Sequence, residues 1–182
     1  MTLLLIMVST RIRHWIPESF VKMVTIDRIA SSNFKLSSEL RIPHPIEAVF
    51  EFFSDAFNLE KITPPWLHFQ VLTPPPIQMA PGTLIDYRLR VRGFPIRWQS
   101  AITAWEPPFR FVDEQRRGPY RIWHHEHIFE QLPTGTLVKD EVIYKPLGGS
   151  LVNRFFVAPD LRKIFSYRVD VLKSIFGDGL PE

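Results

Sequence analysis

The sequence predicts an α+β fold in which a curved antiparallel sheet of about seven strands wraps around one long C-terminal helix. Two observations favour this fold. Segments of alternating apolar and polar residues, separated by proline and glycine turns, recur over residues 34–144, as they do in antiparallel sheets. Beyond them the apolar spacing becomes helical, because Leu161, Phe165 and Leu172 fall on one side of a helix that ends at Gly177.

The individual elements follow in order along the chain. Alternation predicts a first strand over residues 34–42, and helical spacing predicts two short helices over 46–53 and 58–62. The remaining strands are predicted over residues 67–73, 82–92, 96–105, 109–116, 120–131 and 136–144. Nearly all of the 17 prolines lie between these elements, so they indicate turns rather than disorder.

Length and composition indicate one globular domain. The chain has 182 residues, of which 45% are apolar and 23% are charged, as in ordinary folded domains. It has no cysteine, which excludes disulfides, thiolate catalysis and cysteine-ligated metals. The net charge of only +3 argues against nucleic acid as a partner. We expect a cytoplasmic location, with which the absence of cysteine is compatible.

The first 33 residues lack a sustained period and are expected to form a poorly ordered extension. Within them the apolar run Leu3–Val8 is far shorter than the roughly 20 residues that cross a bilayer, and no basic residue precedes it as in a signal peptide. We therefore expect no stable membrane insertion. The folded domain is expected over residues 34–177, followed by a short tail at 178–182.

A cavity between the sheet and the long helix is the expected binding site, since side chains alone seldom fill such a space. Large aromatic residues on the apolar side of the predicted strands are candidates for its walls, and Trp66 lies in the loop that follows the two short helices. The residues expected to contact a ligand are Trp66, Tyr87, Trp98, Trp123, His125, His127, Phe129, Tyr144, Phe165 and Arg168.

The segment Trp123–Phe129 carries the clearest chemical signal. Strand alternation places His125 and His127 on the same face as the two terminal aromatic side chains, with the histidines about 7 Å apart along the strand. In the next strand, Asp140 shares its parity with valine and tyrosine residues, so it faces the same interior if that side of the strand points inward. A buried carboxylate needs partners, and the two histidines can supply them.

Three interpretations of His125, His127 and Asp140 remain open. They can form a hydrogen-bonded polar cluster that fixes the sheet and orients a ligand, which we favour. One histidine can instead be a general acid/base. The pair can also bind a metal with Asp140 as third ligand, but we expect no metal and no cofactor. Asp113 and Gln115 share a parity, and the pattern leaves open whether they face the cavity.

Several short segments occur in a recognisable order. They are Ile42–Phe50, Asn58–Pro64, Trp105–Pro108, Phe111–Asp113, Gly118–Tyr120 and the strand with Trp123, His125, His127 and Phe129. In this order they resemble the ligand-binding SRPBCC group of the START/Bet v 1-like superfamily, which includes polyketide cyclase/dehydrase-like proteins. The resemblance covers residues 34–176 and implies a helix-grip fold with a deep apolar cavity for lipids, sterols, polyketides or similar molecules.

The predicted function is therefore binding of a small hydrophobic or amphipathic molecule, as a carrier or sensor. One alternative is a cofactor-independent enzyme of the cyclase/dehydratase type, with His125 or His127 as acid/base and Asp140 orienting it. A second alternative is a partner-binding module whose core is filled and leaves no cavity. The sequence assigns neither the ligand nor the oligomeric state.

Overall fold

The computed structural model describes residues 23–177 and contains one antiparallel sheet with helices on its inner face. The strands are β1 (Met23–Arg28), β2 (Phe34–Ile42), β3 (Gln70–Val71), β4 (Leu84–Val91), β5 (Phe94–Glu106), β6 (Arg110–Arg117), β7 (Tyr120–Leu132) and β8 (Gly135–Pro146). The helices are α1 (Ile46–Ser54), α2 (Asn58–Lys61), α3 (Gly149–Val152) and α4 (Ala158–Phe176), with a 3₁₀ turn at Pro65–Leu67 and a π-helical turn at Asn153–Val157.

The predicted α+β helix-grip fold is confirmed. The spatial order of the strands is β1-β2-β8-β7-β6-β5-β4-β3. The strands β2 and β8, which are far apart in the sequence, are therefore neighbours in the sheet. The consecutive strands β3 to β8 form an antiparallel meander. This meander brings β6, β7 and β8 side by side, and the candidate functional site lies on those three strands.

The sheet has eight strands rather than seven because residues 23–28, which we expected to lie in a poorly ordered extension, form β1. Each residue of β1 pairs with β2, from Met23 opposite Glu39 to Arg28 opposite Phe34. Val24 and Ile26 pack against the core, but two alternating positions are too few to stand out in the sequence. Residues 1–22 of the expected extension and the expected tail at 178–182 lie outside the described residues.

Proline positions bear on two further features. The strand expected over residues 67–73 is reduced to β3, because Pro65 begins a 3₁₀ turn in place of extended chain. A π-helical turn separates α3 from α4, just before the Pro159-Asp160 pair at which the sequence favours a restart or kink of the helix. Pro159 lies in the first turn of α4, where the missing backbone N–H breaks no helical hydrogen bond.

Two buried clusters join α4 to the inner face of the sheet. In one, Val169 and Leu172 of α4 pack with α1 and with residues of β2, β6, β7 and β8. In the other, Leu161 and Phe165 pack against residues of β2 and β8. Four inward positions at helical spacing thus fix the helix across the sheet, and the space not filled by these clusters forms the cavity.

Tyr144 links β8 to the π-helical turn and supplies a first testable prediction. Its side chain is fully buried, and its hydroxyl donates a hydrogen bond of 2.9 Å to Oδ1 of the buried Asn153. Burial raises the pKa of Tyr144 to about 12, so the hydroxyl stays protonated and can donate. Tyr144→Phe leaves the side-chain carbonyl of Asn153 buried without a hydrogen-bond donor. We expect urea unfolding to report a loss of about 1–3 kcal/mol in the free energy of unfolding.

Tyr167→Phe is the matched control for this prediction. The Tyr167 ring packs against Trp66 at 5.5 Å between centroids, and its hydroxyl makes no hydrogen bond within residues 23–177. We expect this variant to unfold at the wild-type urea concentration. Equal losses in the two variants would show that the Tyr144–Asn153 hydrogen bond does not stabilise the fold.

Candidate functional site

Strand register brings four ionisable side chains together on the inner face of the sheet. His125 and His127 both lie on β7. Asp113 of β6 pairs with His125, and Asp140 of β8 pairs with His127. Because directly paired residues point to the same face, the two carboxylates flank the two imidazoles from either side.

Asp140 lies closest to both histidines. Its Oδ1 is 3.0 Å from Nε2 of His125, which is a hydrogen bond, and 2.8 Å from Nδ1 of His127. Nδ1 of His127 lies within ion-pair distance of Asp140, but its angle is not that of a hydrogen bond. Asp140 is only 5% exposed, so one buried oxygen contacts both rings, one by a hydrogen bond and the other as an ion pair.

Asp113 approaches the same rings from the opposite side at longer range. Its Oδ2 lies 3.5 Å from Nδ1 of His125 and 3.4 Å from Nε2 of His127. Its other oxygen accepts a hydrogen bond of 3.1 Å from Ser100, whose hydroxyl in turn accepts one of 3.0 Å from the Trp98 indole. Each imidazole therefore lies between two carboxylates, one near and one more distant.

Packing fixes the orientation of the two rings. The centroids of His125 and His127 are 3.9 Å apart, and His127 stacks on Phe111 at 4.2 Å with an interplanar angle of 20°. The Phe165 ring of α4 meets His125 edge-on at 5.8 Å. These contacts hold the plane of each ring, and a 180° flip within that plane would put carbon atoms in place of the nitrogens that face the carboxylates.

The electrostatics of the cluster follow from burial and from these contacts. Burial would raise the pKa of Asp140, but the two imidazoles hold that pKa well below its usual range. The pKa of Asp113 is also lowered, because contacts with the imidazoles and Ser100 outweigh its burial. Burial and the charge of His127 lower the pKa of His125. Burial opposes protonation of His127 too, yet the two carboxylates raise its pKa.

Arg168 of α4 is the cation nearest to this cluster on the helix side. It is 7% exposed, its guanidinium lies over the Phe165 ring at 4.8 Å, and its Nη1 is 3.9 Å from Asp140 Oδ1. Within residues 23–177, its Nε and Nη1 have no hydrogen-bond partner. Buried charged donors without acceptors are costly, so an acceptor brought into the cavity would stabilise this side chain.

A cavity of about 940 Å³ lies between the sheet and α4, and the cluster forms part of its wall. The rest of the wall is mainly apolar and includes Phe53, Leu59, Ile85, Met79 and Ile102. Arg168, Asp113, His125 and His127 form one polar region of the lining, and its other polar residues include Asp55, Asn58, Thr63, Arg92, Ser100, Asp160 and Lys163. The cavity therefore offers a mainly apolar surface with one of its polar regions at the cluster.

Two sets of contacts flank the cavity. Trp66, which is 54% exposed, meets Tyr167 of α4 edge-on at 5.5 Å. On the β4–β5 turn, Arg92 makes two hydrogen bonds, of 2.8 and 3.0 Å, to Asp160 in the first turn of α4, and its guanidinium lies over Phe156 at 4.9 Å. The ion pair ties the hairpin to the start of the helix.

The structure places most of the expected ligand contacts on the cavity wall. Those that line it are Trp66, Tyr87, Trp98, Trp123, His125, His127, Phe165 and Arg168. Phe129 and Tyr144 are the exceptions, because they lie outside this lining and are covered by other aromatic side chains. Phe50 and Phe53 of α1 cover Phe129, with centroids 5.3 Å away in both cases, while Phe34 stacks over Tyr144 at 5.7 Å.

Four polar residues take positions that the alternating pattern did not fully determine. Asp113 lines the cavity, whereas Gln115 holds the β6–β7 turn through hydrogen bonds to both backbone groups of Tyr120. Asp140 lies behind the two imidazoles and outside the cavity lining. Ser100 was not anticipated. It lies beside an irregularity in the β5–β6 register, which strand alternation does not reveal.

Comparison with known proteins places the chain in a family. A family described as "Polyketide cyclase / dehydrase and lipid transport" matches residues 42–170. The chain belongs to this family. The match confirms the resemblance to SRPBCC proteins and covers every residue of the Asp113, His125, His127, Asp140 and Arg168 site. Among curated proteins, none matches the chain.

Solved structures show that this family member shares its fold with distant proteins. TTHA0849 from Thermus thermophilus is 19% identical, with 77% of this chain and 94% of that chain covered and a TM-score of 0.59. Major latex-like protein 151 from Panax ginseng is 11% identical, with coverage of 80% and 99% and a TM-score of 0.61. The di-domain ARO/CYC protein StfQ of the steffimycin pathway is 10% identical, with coverage of 80% and 51% and a TM-score of 0.62.

At these identities the likeness to solved structures extends to the fold alone. Within the described residues of this family member, no helix is both long enough and apolar enough to cross a bilayer.

The position of Asp140 yields a second prediction. Asp140→Asn removes the charge that both imidazoles face, and we expect a loss of about 3 kcal/mol in the free energy of unfolding, as when one partner of a buried ion pair is removed. The neighbouring Glu141 is the matched control, because it points to the outer face and pairs with the half-exposed Lys35 at 2.9 Å. Glu141→Gln should cost less than about 1 kcal/mol.

Chemical denaturation of both variants measures the difference. If Asp140→Asn and Glu141→Gln cost the same, the buried carboxylate is not what holds the two histidines in place.

Proposed function

We propose that the protein binds a small amphipathic molecule in its cavity, as a carrier or sensor. The apolar body of the ligand lies against the aromatic wall, and its acidic or otherwise electron-rich end accepts hydrogen bonds from Arg168. The observation that carries this proposal is the buried Arg168 guanidinium, which lines an apolar cavity and has two nitrogens without acceptors in the described part of the chain.

The size and lining of the cavity support this function. Small-molecule sites in proteins typically enclose about 300–1,000 Å³, with mostly apolar walls and a few converging polar groups. The cavity of about 940 Å³ falls within that range, and its wall is likewise mostly apolar with a few polar groups. The description of the family, which names lipid transport beside polyketide cyclases and dehydrases, is consistent with an amphipathic ligand.

A pair of probes that differ only at the polar end tests the role of Arg168. The fluorescent fatty acid cis-parinaric acid carries a carboxylate, and its methyl ester has the same apolar body without the charge. In Arg168→Gln, we expect the dissociation constant of the acid to rise about 10- to 100-fold, since a hydrogen bond to a charged group contributes about 1.5–3 kcal/mol. Affinity for the ester should stay at the wild-type value.

Arg162→Gln is the matched control, because Arg162 lies on the exposed side of the same helix and should affect neither probe. Retained binding of the ester shows that each variant is folded. If the wild-type protein binds neither probe, the cavity function is wrong and a partner-binding module is the better account. If Arg168→Gln weakens binding of the acid and of the ester equally, Arg168 does not bind the polar end of the ligand.

A second candidate function is catalysis of a cyclisation or dehydration on the bound molecule. The observation that favours it is the backing of both imidazoles by Asp140, which leaves the opposite nitrogen of each ring directed towards Asp113. An imidazole held in this way is positioned to transfer a proton to or from a ligand in the cavity.

The molecules that co-purify with the protein separate a carrier from an enzyme. Wild-type protein and His127→Ala, expressed in the same cells, are extracted with organic solvent and the extracts are compared by mass spectrometry. A carrier yields the same molecule from both, in a smaller amount from the variant. A dehydratase yields a molecule from the variant that is heavier by one water, and that result would replace the carrier function by the enzymatic one.

A further inference from the structure

We propose that Asp113, His125 and His127 form a binding site for a divalent transition-metal ion, with Asp140 orienting the two imidazoles from behind. The donor atoms of the three residues all lie within 4.8 Å of one another, and all three residues line the cavity. The sequence had suggested Asp140 as the third ligand and, on balance, no metal. In the structure, the strand register places Asp113 where the third ligand would be, and Asp140 lies behind the two imidazoles.

Distances separate the two carboxylates into different roles. Asp140 lies 3.0 and 2.8 Å from the histidine nitrogens that it faces, which are the distances of charge-assisted contacts. Asp113 lies 3.5 and 3.4 Å from the opposite nitrogens, too far for such a hydrogen bond. Oxygen and nitrogen donors about 2.0–2.2 Å from a tetrahedral ion are about 3.3–3.6 Å apart. The Asp113 contacts match that spacing.

Asp140 supplies the outer shell that histidine ligands need. A histidine that binds a metal through one nitrogen normally has its other nitrogen held by a carboxylate or carbonyl, which fixes the ring. Here one Asp140 oxygen makes a hydrogen bond with Nε2 of His125 and an ion-pair contact with Nδ1 of His127. Each ring thereby presents its other nitrogen to Asp113, the arrangement that metal binding requires.

The remaining neighbours also preorganise the site. Ser100 holds the second oxygen of Asp113 at 3.1 Å, and Phe111 stacks on His127 at 4.2 Å. These contacts restrict rotation of one carboxylate and one imidazole. The two carboxylates together carry the charge that a divalent ion balances, so the ion would neutralise charges that are costly to bury.

Two histidines and one carboxylate favour a first-row ion such as Zn²⁺ or Fe²⁺ over Mg²⁺ or Ca²⁺, which prefer all-oxygen sites. Three protein ligands leave at least one coordination position free. Since the three ligands line the cavity, the free position is accessible to a small molecule bound there. An ion at this site would polarise an oxygen atom of that molecule as a Lewis acid.

Metal titration of the whole chain tests the proposal without any organic ligand. Protein freed of metals with a chelator is titrated with Zn²⁺ in a calorimeter and with Co²⁺ in a visible spectrometer. We expect one equivalent of each ion to bind, with the intense visible bands of four- or five-coordinate Co²⁺. Asp113→Asn and His127→Ala should weaken binding at least 100-fold, and Asp140→Asn about 10- to 100-fold.

The same strands offer matched controls on their outer face. Glu114 and His124, the neighbours of Asp113 and His125, contact each other at 3.0 Å and are partly exposed. Glu114→Gln and His124→Ala should bind both ions as the wild type does. Absence of stoichiometric binding in the wild type overturns the proposal, and so does loss of binding in the outer-face variants but not in the inner-face variants.

X-ray absorption of the wild-type protein loaded with Zn²⁺ gives a result that does not depend on any variant folding. We expect two imidazole nitrogens and oxygen donors at about 2.0–2.2 Å from zinc. A spectrum with oxygen donors alone would overturn the site. The fatty-acid measurements are independent of this result, because Arg168 is not one of the three ligands.

Discussion

A carboxylate buried on the inner face of the sheet is the constraint on which the rest of the site depends. Asp140 is 5% exposed, and an unpaired charge at such a depth would cost several kcal/mol. The sheet meets this cost by pairing β8 with β7, so that His127 lies opposite Asp140 and His125 lies within hydrogen-bond reach. The contact of both imidazoles with Asp140 follows from that pairing, whereas the stacking of Phe111 and the approach of Asp113 follow from the pairing of β6 with β7.

The same arrangement gives the cavity wall an apolar part and a polar part. The two core clusters are apolar and pack α4 against the sheet, while the polar cluster forms a polar region in a mainly apolar wall. Arg168 adds donors that the cluster does not satisfy, because its Nη1 remains 3.9 Å from Asp140. A ligand with an apolar body and an electron-rich end matches both parts. A metal ion at the histidines would use donors that such a ligand leaves free.

Strand alternation predicted the part of the site that lies within single strands, and register determined the rest. The spacing of His125 and His127 places them on one face whatever their neighbours are. The position of Asp113 was open because Phe111 and Val112, on opposite parities, are both buried, so the pattern did not mark the inner face. Phe129 has the parity of a wall residue, but α1 covers it, and a long-range contact of this kind leaves no periodic signal. The strand β1 was missed because only Val24 and Ile26 alternate.

A crystal structure with a bound fatty acid brominated at its terminal carbon tests the central claim most directly, because the anomalous signal of bromine fixes the direction of the ligand. The account predicts the carboxylate within hydrogen-bond distance of Arg168 and the bromine among the apolar residues of the same cavity. A bromine beside Arg168 with the carboxylate in solvent, or a ligand bound only outside the cavity, would contradict it.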